Sequence, residues 1–228
     1  MTTRRNFIKK TTAGTAAVTL GGLVLPNMGY STILGANDHL NCAVIGIRSR
    51  GKAHVKAINA DTNAKVLYSC DVDDIILEEH NAWCQDNIGY VPKVEKDFRK
   101  ILEDKDVDAV FIATPEHWHA PMAIMAMQAG KHVYVEKPCS HNPYENDLLV
   151  AAQKKYGKKV QMGNQQRSAS TSIRAIEEIK AGIIGDVFKG EAYYSNNRGS
   201  IGIGKEIDVP KTLDWNLWQG PAPKTAYK

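Results

Sequence analysis

Cys42-Ala43-Val44-Ile45-Gly46-Ile47-Arg48-Ser49-Arg50-Gly51 sets four consecutive apolar residues before a glycine turn and the start of a helical pattern that runs to about Ala60. An apolar run without alternation is what a strand covered on both faces requires. Downstream, short apolar runs keep alternating with helical patterns. Strands are expected over 65–70, near 91–94, and over 107–113, 133–135 and 160–162. Helices are expected over about 73–85 and 97–103, from the opening stretch Thr114–His119 to Gly130, from Asn142 to Gly157, and around Ile173, Ile176 and Ile179 with Gly182 as the stop. Such alternation predicts βαβ units closing on a parallel sheet, an α/β fold.

The turn after the first strand carries chemistry. Gly46 and Gly51 occupy the outer places of a G-x-G-x-x-G spacing, with Arg48 where the middle glycine would stand. A glycine turn feeding a helix N-terminus presents bare amides to a pyrophosphate. Arg48 either shifts the phosphates outward or adds a charge-assisted contact. Asp71 lies 20 residues beyond Gly51 at the end of the second predicted strand, where an acid accepts from adenosine ribose hydroxyls. An acid there repels a 2′-phosphate and selects NAD, while Arg48 and Arg50 leave NADP open.

Two further strand ends are chemically equipped. Thr114-Pro115-Glu116-His117-Trp118-His119 follows the fourth strand, and Glu136-Lys137-Pro138 follows the fifth. The latter brings a carboxylate, an ammonium and a rigid turn to the carboxyl edge of the sheet, where α/β proteins bind ligands. His117 and His119 form an HxH pair without a neighbouring Cys or acid at zinc spacing, so no metal is expected. His119 is expected to face the nicotinamide or its ribose, and His54 to be structural.

Bulk properties exclude several classes. The chain has 228 residues, a net charge of +4 with scattered basic residues, and four cysteines without CxxC pairing. Neither a nucleic-acid stripe nor a zinc or redox motif follows. At the N-terminus, Thr3-Arg4-Arg5-Asn6-Phe7-Ile8-Lys9 leads into an apolar run from Thr11 to Leu25. That run is shorter than the ~20 residues of a membrane span. Residues 1–36 are expected to be a Tat signal, giving an exported, periplasmic or extracytoplasmic protein with the Tat machinery as partner. After Gly185 the pattern changes: residues 187–194 alternate like a strand with one wet face. The last 44 or so residues are too few to form a second domain unaided. The expected division is therefore a signal over 1–36, a nucleotide-binding domain over 37–184, and the start of a second domain over 185–228 in which the chain stops.

With these features in order, residues 38–228 resemble the Gfo/Idh/MocA oxidoreductases. The resemblance rests on Gly46 and Gly51, Asp71, Thr114-Pro115 with His119, Glu136-Lys137-Pro138 and the run Asp214 to Pro223, DWNLWQGPAP. It implies a Rossmann-type doubly wound parallel sheet followed by an α+β domain, here incomplete, that carries the sugar or polyol site and often homo-oligomer contacts. Carried over by position, Gly46, Ile47, Arg48 and Gly51 hold the pyrophosphate and Asp71 the ribose. Thr114, Pro115 and His119 lie along the nicotinamide half, Glu136 near its ribose, and Asn164 and Gln165 close to the cofactor. Lys137 resembles the catalytic lysine, and its acid/base partners, an Asp and a His, fall beyond Lys228.

The implied activity is nicotinamide-dependent oxidation of a sugar or polyol carbinol. Export implies a retained cofactor and a redox-neutral cycle, so glycoside cleavage, elimination or epimerisation is the alternative. Members that cleave glycosides share the twin arginine and the Arg-Gly of Arg50-Gly51 but depart from Glu-Lys-Pro, so Lys137 favours dehydrogenase-like chemistry. A non-catalytic nucleotide- or sugar-binding protein is the reading from another class.

Overall fold

The computed structural model describes residues 39–61 and 63–228. The expected signal segment lies outside them. Six strands, β1 (Leu40–Ile45), β2 (Ala64–Cys70), β3 (Lys93–Glu95), β4 (Ala109–Ile112), β5 (His132–Glu136) and β6 (Val160–Gly163), form one sheet in the order β3-β2-β1-β4-β5-β6. Every neighbouring pair is parallel. The order reverses between β1 and β4, which opens a crevice at the carboxyl ends of the strands.

Helices cover both faces. Helices α1 (Ser49–Asn59) and α2 (Asp74–Ile88) lie on one side, where Val55, Ile58, Leu77 and Cys84 bury against Cys42, Val44 and Val66. Helices α3 (Phe98–Glu103), α4 (His119–Gln128) and α5 (Pro143–Tyr156) lie on the other, around Ala43, Ile45, Val110 and Ile112. Residues 42–45 of β1 thus alternate between two cores, which is why they are apolar without a break, whereas Leu40 and Asn41 at its start are not buried. Helix α5 starts on a reciprocal cap: Asn142 accepts from the Glu145 amide at 3.0 Å and Glu145 accepts from the His141 amide at 2.8 Å.

Helix α6 (Ser170–Lys180), helix α7 (Trp215–Gln219) and two 3-10 turns, Glu116–Trp118 and Gln165–Ser168, complete the described elements. The third strand is shorter than expected and begins two residues later, at Lys93. Residues 187–194 differ more: they form no strand and no helix, with Phe188, Tyr193 and Tyr194 exposed. The alternating pattern is present, but among the described residues no strand lies beside it to take its hydrogen bonds. No described helix is long and apolar enough to cross a membrane.

Candidate active site and nucleotide cleft

The first turn is built by close backbone approach. Gly46 has φ +83°, and a Cβ on it would lie 2.6 Å from the Ala113 carbonyl oxygen. A Cβ on Gly51 would lie 2.1 Å from the Gly46 carbonyl oxygen. The two glycines therefore let α1 and the end of β4 close on one bare turn. The Gly46 amide donates to the Cys70 carbonyl at 2.8 Å. The Ile47 side chain is wholly buried while its amide donates to Asp71 Oδ2 at 3.2 Å. Burial pushes the Asp71 carboxyl above its ordinary value, opposed by the amides of Ile47 and Val72 and by the Arg48 charge. Arg48 leans across the end of β2 to within 3.5 Å of Asp73.

Gly46, Arg48, Asp71, Thr114 and Pro115 line one cleft of about 650 Å³, counting its open mouth. Its remaining walls are largely apolar, with Ile45, Phe98, Met122, Trp118, Leu217 and Trp218, and include Lys96. Thr114 Oγ1 is buried there without a hydrogen-bond partner.

His119 has another position from the one expected. Its ring is 2% exposed, with Nδ1 2.5 Å from the Pro138 carbonyl oxygen and Nε2 2.8 Å from that of Thr114. It ties the turn after β4 to the turn after β5, so it shapes the site through the backbone. A sequence cannot distinguish a histidine that faces a ligand from one that clamps two loops behind it.

The second half of the edge forms around Glu136. This carboxylate is buried, with Oε1 3.1 Å from His54 Nε2 and 3.6 Å from Arg50 Nε. The His54 contact is close but not aligned as a hydrogen bond, since His54 Nε2 has no directed partner. Burial pushes the His54 ring below its ordinary value, and the Glu136 charge opposes that shift. A Cβ on Gly163 would lie 2.9 Å from Glu136 Oε1 and 3.0 Å from the Tyr134 hydroxyl, so Gly163 leaves the carboxylate its room. The Gln165 carboxamide, turned to satisfy both ends, donates to the Gly163 carbonyl at 3.2 Å and accepts from Arg50 at 3.0 Å. Asn164 and Gln165 are exposed at this edge, as is Lys137, whose peptide bond to Pro138 is cis.

Sequence reasoning missed Arg50, His54, Tyr134 and Gly163 as members of this group. The available signal was the i, i+4 spacing of Arg50 and His54, which puts both on one face of α1. His117 lies away from His119, with Nε2 2.9 Å from the Trp218 carbonyl oxygen. No group of three or more His, Cys, Asp or Glu residues suited to a metal occurs among the described residues. Cys42, Cys70 and Cys84 are buried, and burial pushes their thiols up, Cys42 to about 12 and Cys84 to about 11. Thiols held protonated in this way are inert.

A 3-2-1-4-5-6 parallel sheet with a bare glycine turn and an acid after β2 defines a dinucleotide-binding Rossmann protein. Residues 40–164 match the family model described as Oxidoreductase family, NAD-binding Rossmann fold. The chain belongs to this family, the Gfo/Idh/MocA oxidoreductases. It is 31% identical over 210 residues to Glycosyl hydrolase family 109 protein 2 of Shewanella sp. (strain ANA-3), covering 90% of this chain and 43% of that protein. Among solved structures it is similar to myo-inositol 2-dehydrogenase from Lactobacillus plantarum, with TM-score 0.59 and 27% identity over 66% of this chain and 43% of that one. A scyllo-inositol dehydrogenase from Lactobacillus casei, solved with NAD(H) and scyllo-inositol, gives TM-score 0.58 and 27% identity over 65% and 43%. The chain thus spans less than half the length of these three proteins.

Proposed function

We propose that this chain carries the nucleotide half of an NAD-dependent oxidoreductase acting on a carbinol carbon of a sugar or polyol, with Lys137 at the reacting centre. The observation that carries this reading is an exposed lysine directly after a buried, braced carboxylate at the carboxyl end of β5, on the sheet edge that holds the glycine turn. The residues present fit a dinucleotide: a turn whose two glycines have no room for a Cβ, an acid beside it, and a buried Thr114 hydroxyl without a partner. When bound, NAD supplies a hydride acceptor. Gly46, Arg48 and Gly51 would hold its pyrophosphate, Ile47 would position Asp71 through its amide, Asp71 would hold the adenosine ribose, and Thr114, Glu136, Asn164 and Gln165 would hold the nicotinamide half. The Lys137 ammonium stabilises negative charge on the carbinol oxygen as the carbon gives up hydride, or relays the hydroxyl proton. Arg50 and His54 keep Glu136 in place beside it. The inositol dehydrogenases to which the fold is similar support this substrate class.

A second reading returns the hydride to the same sugar, so that a glycoside is cleaved without net oxidation. The glycosyl hydrolase names of the Shewanella relatives favour it. Arg4-Arg5 adds support, because export by the Tat route leaves no soluble nicotinamide pool and calls for a retained cofactor. Homo-oligomerisation through a second domain goes with either reading.

The test uses the full-length protein. Heat release followed by mass spectrometry identifies any retained nucleotide, and turnover is measured both as nucleotide reduction with inositols and hexoses and as cleavage of aryl glycosides. The first reading expects reduction. The second expects cleavage with none. Lys137→Ala is expected to lower turnover by about 10²-fold or more while nucleotide binding stays within twofold. Unchanged turnover would remove Lys137 from the chemistry and favour a binding protein.

A further inference from the structure

Residues 212–219 cross the mouth of the nucleotide cleft and are fastened to both of its lips. On the β2 side the Asp214 amide donates to the Val72 carbonyl at 2.9 Å and the Asp74 amide to the Thr212 carbonyl at 3.0 Å. Leu213 forms an isolated antiparallel bridge with Asp73. On the β4 side Trp118 Nε1 donates to the carbonyls of Leu217 and Trp218 at 3.0 and 3.1 Å. Helix α7 is capped by Asp214, which accepts from the Leu217 amide at 2.8 Å. One glycine makes the join: a Cβ on Gly220 would lie 2.0 Å from the Trp118 ring, so the indole rests on bare backbone. Trp218 is stacked on Trp215 with centroids 4.7 Å apart.

The crossing gives the crevice a partial roof and leaves it an open mouth. Leu217 and Trp218 line the cleft together with Asp71, and Trp118 and Phe98 pack edge to face beside them. A largely apolar, aromatic-lined slot next to the acid proposed for the ribose, with Arg48 and Lys96 as its basic members, is chemistry suited to a purine base. We propose that Trp118, Leu217 and Trp218 form the wall against which the adenine ring of the dinucleotide stacks, so the nucleotide site extends into residues 212–219, outside the matched span 40–164. This rests on the nucleotide reading above. It also gives DWNLWQGPAP a role: Asp214 caps the helix, Trp218 faces the base and Gly220 seats Trp118.

The test compares NAD with nicotinamide mononucleotide, which lacks the adenosine half, by calorimetric titration of the 228-residue chain. Trp218→Ala, on a half-exposed helix remote from the sheet core, and Gly220→Ala, which must displace the Trp118 ring, are each expected to raise the Kd for NAD about 10-fold. The Kd for the mononucleotide is expected to stay within twofold. Circular dichroism checks that the sheet is retained. Should both variants keep wild-type NAD affinity, or weaken the two ligands alike, the adenine wall is overturned while the nucleotide reading stands. Should the wild-type chain bind no dinucleotide, the nucleotide reading falls and the wall with it.

Discussion

Glu136 is held by residues of different character, and each can be tested alone. Gly163 has no conformational demand at this point; it is needed for space, because a methyl group there meets the Glu136 carboxylate at 2.9 Å and the Tyr134 hydroxyl at 3.0 Å. Gly163→Ala is expected to push the carboxylate off Arg50 and His54. The expected readout is a 10- to 100-fold loss of turnover with the NAD affinity changed less than threefold, measured by steady-state kinetics and calorimetry. Equal loss in both would place Gly163 in general stability instead. Gly51 has a harsher constraint, since its neighbour is the Gly46 carbonyl, and backbone cannot step aside as a carboxylate can. The sequence showed Gly51 through its spacing to Gly46 but gave no sign of Gly163, because a close contact between β5 and β6 leaves no local pattern.

At the scale of elements, caps and turns carry the local signals and packing confirms them. Asn142, Pro143 and Glu145 announce α5 by type and spacing, and the structure closes the same reciprocal bonds. Asn142→Ala is expected to cost about 1 kcal/mol, read as a lower denaturant midpoint at unchanged slope. Its effect on nucleotide affinity should be negligible, because α5 starts outside the cleft. Residues 42–45 of β1 and strand β4 were equally legible, since both faces are largely buried and the sequence there is apolar without a break. The stretch 187–194 was not: an alternating pattern specifies which face is apolar but cannot supply a neighbouring strand. Helix α7 escaped the pattern search for a different reason. Its five residues have no periodicity to read, and its place over the cleft depends on Trp118, 100 residues earlier.

Taken whole, the molecule buries histidines it cannot easily charge. His80 is fully enclosed, with Nε2 3.1 Å from Ser69 Oγ and 3.2 Å from Cys84 Sγ. Burial, aided by the Lys52 charge, lowers it from 6.5 to about 4. Burial also lowers His54 and His132. Between pH 6.5 and 4 the unfolded chain therefore takes up protons that the folded one refuses. Unfolding free energy should fall as pH drops through that window, by on the order of 3 kcal/mol from His80 alone. Urea unfolding of wild type and His80→Gln at pH 7 and pH 5 checks this. The variant should lose less stability on acidification, and an equal loss would clear His80 of the effect.

The segment roofing the cleft also fixes an order of events during synthesis. The sheet is complete once Gly163 has emerged from the ribosome, but the residues crossing the mouth end at Gln219, about 55 positions later. At roughly 5–20 residues per second, the nascent protein has several seconds with its strands available and its cleft still unroofed. A ligand that meets the chain in that interval enters through an open mouth and is then covered. One that arrives later has only the mouth that the crossing segment leaves open.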